Sequence, residues 1–581
     1  MPRPSGRPAR NSRSRYGLTL ACTLILGAGT AWAEPMSESG GPGAYLAARH
    51  AIGTADFAAA TQYLGRALDG WSSAPLLLEN LVVARMALGD LEGAQAPAEA
   101  LEALDHDSQA ARLVLLAGLM EAGAHETVLG RIEAGAGLGA LFDPLLAGWT
   151  RIAQGRMSDA LADFERVGQI SGMEVFGLYH TALALAHVGD LEAAEAILSG
   201  EAGGPIRLTR RGIEARVQIL SQLDRGEDAL ALLEDTYGED PEVAALRDAL
   251  EAGEVLPFGI VTQPRDGLAE VFFDIAGALE GDGGDAFSLM LARVAMDLRP
   301  DHVQAQLLAA RMLGGLGQYG LASAVYAGVA RDAPAFHLAE IGRADALHRD
   351  GDPEAARAVL EALAATHGHL PVVHITLGDL LRIDRHFDAA THAYDAALAL
   401  MGTPQPGHWT VHFSRAITHE REGRWDEAER DFRQALALNP DQPHVLNYLG
   451  YSLVERRENL DEAVEMIRRA VAAEPENGYI VDSLGWAYYR LGRIDNALIH
   501  MERAVELMPT DAILNDHLGD VYWALGRKRE ARFQWRRALS LGPADDLDME
   551  RIRRKLDVGL DRVLIDEGST PHHDVEARRG D

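Results

Sequence analysis

The chain has 581 residues, 47% of them hydrophobic, a formal charge of −33 and one cysteine. The apolar fraction excludes wholesale disorder. The acidity excludes nucleic acid as a main partner, and the lone cysteine excludes a disulfide framework or a zinc–thiolate site.

Residues 1–33 open with five arginines and no acid, then run "YGLTLACTLILGAGTAWA" into the small residues Ala31 and Ala33. A basic start, an apolar core and an A-x-A ending predict a secretory signal peptide cut after Ala33, and hence a periplasmic protein. An uncleaved anchor and acylation at Cys22 are the alternatives. With Cys22 removed in the leader, the remaining chain has no cysteine and is more acidic still. That charge favours a basic or neutral protein partner over anionic lipid; equally, it can serve only to keep a long exported chain soluble.

Residues 41–248 repeat a faint beat. Ala60, Ala94, Ala160, Ala194 and Ala229 mark it, with Gly89, Gly123, Gly155 and Gly189 at the turns. Residues 249–268 break the beat and carry Pro257 and Pro264. The stretch reads as an inter-array linker or as an extended insertion packed on its neighbours. From 269 to 545 the beat is strong: Ala322, Ala356 and Ala390 lie 34 residues apart, and so do Ala463, Ala497 and Ala531. "GTPQPG", Gly402 to Gly407, lengthens the step before Ala428 to 38 residues, and the step from there to Ala463 is 35.

Each unit predicts two helices. In the unit from Gly478, Ile480, Leu484, Tyr488 and Leu491 share one helical face. Gly492 ends that helix, since glycine accepts left-handed geometry. Ile494, Ala497, Leu498, Met501 and Val505 form the face of the second helix, and Pro509 closes the unit. So short a pair cannot bury its apolar face alone, but stacked pairs can. Residues 546–565 predict a capping helix through Ile552, Leu556, Leu560 and Val563, and 566–581 a disordered tail.

Leu484-Gly485, Tyr488, Gly492, Ala497, Ala504 and Pro509 resemble the tetratricopeptide repeat, as do Leu518-Gly519, Tyr522, Gly526, Ala531, Ala538 and Pro543. The resemblance implies an all-α superhelical solenoid: about fourteen helix-turn-helix repeats in two arrays, with a C-terminal cap. It implies that first helices line a groove, with positions 2, 5, 9, 12 and 13 facing it. Asn447, Tyr451, Tyr479, Asp482, Trp486, Tyr489, Asp516, Asp520 and Trp523 are then the candidate protein-binding residues. Aromatics are efficient anchors; the other reading packs Trp486 and Trp523 between repeats.

No motif points to catalysis, a cofactor or a metal. Gly315 to Gly320 fits G-x-G-x-x-G, but it falls on an inter-helix turn rather than after a strand. His367, His369 and His374, and His572, His573 and Asp574, lack ligand spacing. The expectation is a non-enzymatic scaffold without cofactors. Some tetratricopeptide proteins grip a partner's terminal carboxylate with lysines, and this groove has no lysine cluster. "NYLGYSL", "DSLGWAYYRLG" and "HLGDVYWALGR" further resemble a bacterial envelope subgroup. That implies an adaptor bringing substrates to a periplasmic protease, or a scaffold for envelope assembly or exopolysaccharide export.

Overall fold

The computed structural model describes residues 41–569 and 571, apart from 205, 239, 282–284 and 544–546. The predicted signal peptide lies outside the described residues, as do His572, His573, Asp574 and most of the predicted tail. Among the described residues there are 31 α-helices and no strand. Fourteen helix pairs run from Pro42–Gly53 with Phe57–Leu68 to Ala512–Ala524 with Lys528–Leu541. Ala244–Glu251, Met549–Val558 and Leu560–Asp566 stand outside the pairs. Among the described residues no helix is long and apolar enough to cross a membrane.

The unit from Gly478 shows why these sequences form pairs. The Asn477 side chain caps helix Gly478–Arg490 by accepting from the Ile480 amide, which satisfies one of the amides a helix start leaves open. Gly492, at φ 71°, turns the chain into Ile494–Leu507. Ile480, Leu484 and Tyr488 from the first helix are buried, as are Ala497, Met501 and Ala504 from the second. Where the two helices of the next pair cross, a Cβ on Gly519 would lie 2.4 Å from Trp535 Nε1. Only glycine lets that crossing close over so large a ring.

The helices form two compact units, 1–359 and 360–581, that divide inside helix Pro353–His367. Within the N-terminal unit the main apolar core runs from Ala48 to Ala346, and a smaller one gathers Val217, Leu220, Ala229, Leu233, Val243, Leu250 and Leu256. The pair Pro264–Ala278 and Asp285–Leu298 folds back onto four earlier first helices: Pro75–Leu88, Gln109–Glu121, Phe142–Ala153 and Glu174–His187. At the closest approach a Cβ on Gly267 would meet the Trp149 ring at 2.1 Å. Arg293, on the returning pair, donates to the carbonyl of Ala87 at 3.0 Å, closing the end of helix Pro75–Leu88. Residues 256–261 are held down as well. The Leu256 amide donates to Ser221 Oγ at 2.9 Å and the Gly259 amide to Gln218 Oε1 at 2.8 Å. Arg299 donates to the carbonyls of Ile260 and Gly259.

The same unit buries a charged knot. Glu270 is fully buried and accepts from Arg211 Nη2 at 2.6 Å and Nε at 3.0 Å. His302 Nε2 lies 3.3 Å away and Arg299 Nη1 3.8 Å. Burial would raise the Glu270 carboxyl, but Arg211 and then His302 hold it well below the ordinary carboxylate range. The knot ties helix Arg210–Gln222 to helices Pro264–Ala278 and Val303–Gly315.

The C-terminal unit carries its own main core, from Ala416 to Leu560, with smaller clusters around Tyr394 and around Ala504. Its last repeat is covered by two short helices rather than one, because Gly559, at φ 85°, breaks the predicted cap between Val558 and Leu560.

Candidate protein-binding groove

The first helices of the C-terminal unit carry the expected binding residues. Asn447 and Tyr451 are half-buried on Pro443–Arg456. Tyr479 is 52% exposed and donates from its hydroxyl to Asp511 Oδ2 at 3.1 Å. The half-buried Trp486 donates from Nε1 to Glu455 Oε1 at 2.7 Å. Its ring stacks on His517 with centroids 4.1 Å apart and on Tyr489 at 4.9 Å. Glu455 also meets Arg490 at 3.3 Å. Tyr479, Trp486, Glu455 and Asp511 thus form an accessible aromatic and acidic patch on three successive first helices.

The other five expected residues are buried. Asp482 pairs through Oδ2 with His517 Nδ1 at 2.9 Å. Tyr489 lies under Trp486. Asp516 and Asp520 sit one helical turn apart and both receive Lys555 Nζ, at 2.7 to 2.9 Å from all four carboxylate oxygens. Lys555 is itself fully buried. Asp520 also accepts from Trp535 Nε1 at 2.9 Å and lies 3.7 Å from Arg551. Trp523 packs on Trp535 at 5.3 Å, and a Cβ on Gly559 would come within 2.6 Å of it. The expectation that Asp516, Asp520 and Trp523 present an open acidic surface is corrected here. The terminal helices cover that face and neutralise its acids.

Lys555, Arg551, His517 and Glu455 were missed from sequence. Lys555 had a visible signal: it stands beside Ile552 and Leu556 on the apolar face of its helix. A charge at such a position needs a buried counter-charge.

Burial opposes a charge on His517, but Asp482, then Asp516 and Asp520, raise its pKa above the ordinary value. A raised folded pKa stabilises the fold fully below the unfolded value, about 6.5. The contribution is lost as pH rises through the higher folded value. The His517→Gln variant should therefore melt closer to the wild-type protein at high pH than at pH 6. His419 and His500 are both lowered by burial and act in the opposite sense, so the difference between the two proteins is the quantity to measure. A constant difference across that window would contradict the assignment.

Among the described residues no group of three or more His, Cys, Asp or Glu could hold a metal ion. The His367 and His369 rings stack at 6.2 Å, and His374 Nε2 donates to the carbonyl of Gly368 at 2.9 Å. Gly317, at φ 74°, is the turn between Val303–Gly315 and Tyr319–Ala327, so the glycine motif there serves a helix pair.

The tetratricopeptide repeat model matches residues 375–443, 413–473 and 449–512, which include helices Pro443–Arg456 and Gly478–Arg490 and stop at the start of Ala512–Ala524. Residues 375–512 carry tetratricopeptide repeats. No curated protein matches it. Similar solved structures include a chain of the APC/C hetero-tetramer Cut9–Hcn1, 15% identical, covering 89% of this chain and 96% of that one with a TM-score of 0.37. A tetratricopeptide repeat protein of Parabacteroides merdae is 15% identical over 50% of this chain and 98% of its own, with a TM-score of 0.34. MamA of AMB-1 is 22% identical over 30% of this chain and 94% of its own, with a TM-score of 0.25. Tetratricopeptide repeat proteins are typically non-enzymatic, and their arrays generally bind proteins or peptides, so the fold supports a protein-interaction scaffold.

Proposed function

We propose that the protein is an exported, non-enzymatic adaptor of the bacterial envelope. It binds a basic or neutral partner protein on the first-helix face of its C-terminal unit. The observation that carries this reading is the accessible patch of Tyr479 and Trp486 beside Glu455 and Asp511. Aromatic rings give a partner contact area at little entropic cost, and the carboxylates steer positive charge toward them. In the N-terminal unit four first helices are covered by the chain's own returning pair, which favours the C-terminal unit as the place for a partner. Export rests on the basic start and the A-x-A ending of residues 1–33. The narrower role, bringing substrates to a periplasmic protease, rests on the resemblance of residues 447–539 to the envelope subgroup.

The test uses partners recovered by affinity purification from envelope extract. Combined Tyr479→Ala and Trp486→Ala replacement should weaken the recovered partner by about 2 kcal/mol or more, the scale of a binding hot spot. Helicity should be kept, and the melting temperature should fall only by what the Trp486 contacts with His517, Tyr489 and Glu455 contribute. High salt should slow association while leaving dissociation nearly unchanged. Unaltered affinity in the double variant would place the binding face elsewhere.

A further inference from the structure

Beside the charged knot of the N-terminal unit lies a cavity of about 360 Å³. It opens between helices Glu174–His187, Arg210–Gln222 and Pro264–Ala278. Val175, Phe176, Leu208 and Phe273 give it apolar walls, and Gly277 lies along one side. Val175 is 41% exposed there. Apolar surface left open to water costs free energy in proportion to its area. A cavity of about 150 Å³ holds one benzene ring in another protein, so this volume exceeds what one aromatic side chain needs. It lies within the size range of small-molecule sites.

Charge around the cavity is distributed unevenly. Arg210 pairs with Asp240 at 2.9 Å and Arg211 with Glu270, so both are committed to the fold. Arg207, at the mouth, is exposed and pairs with no carboxylate among the described residues. In a chain of formal charge −33, Arg207 places a positive charge at this apolar opening. The inner wall contains Asp274 and Tyr179. Burial, with Glu270 next to it, pushes the Asp274 carboxyl well above the ordinary range, and burial does the same to the Tyr179 hydroxyl. Burial thus disfavours a charge on either group, which suits an apolar body inside and a negative head at the mouth.

We infer that this cavity binds one aliphatic carboxylate, with its chain between Phe176, Leu208 and Phe273 and its head at Arg207. Scaling from the benzene-sized cavity gives a chain of roughly ten to twelve carbons. This site is separate from the proposed partner face, since all of its residues belong to the N-terminal unit.

Titration of the full chain with decanoate below its micelle concentration, followed by calorimetry, tests this. One decanoate should bind per chain. Arg207→Glu should weaken decanoate by about tenfold or more while hardly changing the binding of decanol. An added Cβ at Gly277 meets no atom within 4 Å. Gly277→Leu should therefore fill the cavity, abolish binding of both ligands and leave the unfolding midpoint in place. If Gly277→Leu fails to fold, the contrast between decanoate and decanol in Arg207→Glu decides the matter alone. The inference is overturned by an absence of saturable binding, by unchanged binding in a folded Gly277→Leu protein, or by Arg207→Glu leaving decanoate unaffected. A peptide with a C-terminal leucine that binds where decanoate does not would also overturn it.

Discussion

Replacing Glu270 by alanine should lower the stability of the N-terminal unit by about 3–5 kcal/mol, the cost of breaking a buried ion pair from one side. The loss comes less from the bonds removed than from what stays behind. Arg211 remains buried at 11% exposure with its main counter-charge gone. His302 and Arg299 lose the same neighbour. Glu270→Gln keeps the shape and some hydrogen bonds but no charge, so it should fall between the wild-type protein and Glu270→Ala. Because Glu270 is held below its ordinary pKa, its contribution is complete above about pH 4.3 and is lost only as pH falls toward the lowered value. The difference between wild-type protein and Glu270→Ala should therefore shrink in acid. Denaturant unfolding at several pH values measures it, with hydrogen exchange localising the damage to helices Arg210–Gln222 and Pro264–Ala278. A change below about 1 kcal/mol at neutral pH would mean that the knot contributes no more than a surface pair.

Much of the fold was legible because a helix pair is a local object. The alanine at the crossing, the glycine at the turn and the proline beyond it lie within one period, and each has a local physical reason. Gly492 and Gly519 need no distant partner to be understood. The return of Pro264–Ala278 and Asp285–Leu298 onto earlier helices is different in kind. It joins residues far apart in sequence, such as Arg293 and Ala87, and no repeat spacing encodes that. One signal was nevertheless available. Leu289, Met290, Leu291, Ala292, Val294 and Ala295 are all buried, so this helix is apolar around most of its circumference. A helix apolar on all sides is enclosed on all sides, which an open groove wall cannot be.

The binding residues were legible only in part for a related reason. The positional pattern of the repeat says which side chains of a first helix face the next first helix or the groove. It does not say whether that place is occupied. At Tyr479 and Trp486 the face is accessible. At Asp516, Asp520 and Trp523 the same positions meet the chain's own C-terminal helices, and the acids that seemed to invite a basic partner already have one in Lys555.

That assignment makes Lys555→Ala the most damaging single change expected in the C-terminal unit. Lys555 Nζ is bound to both oxygens of Asp516 and both of Asp520. Without it, two buried carboxylates face each other, offset by Arg551, 3.7 Å from Asp520, and more weakly by His517. Removing one side of such a cluster costs about 3–5 kcal/mol. In a repeat array each element depends chiefly on its neighbours, so the damage should be local. Hydrogen exchange should quicken in 512–566 and change little in Pro443–Arg456. Converting all three charges together, as Lys555→Met with Asp516→Asn and Asp520→Asn, should recover much of the loss, because no unpaired charge then remains buried. Cap loosening has a visible consequence as well. Trp523 is covered by the Gly559 turn, so its fluorescence should shift to the red and become quenchable in Lys555→Ala, while Trp149 in the N-terminal unit keeps its buried emission. Equal stability of Lys555→Ala and wild-type protein, or a triple variant no better than the single one, would show that the two aspartates are not held by this lysine.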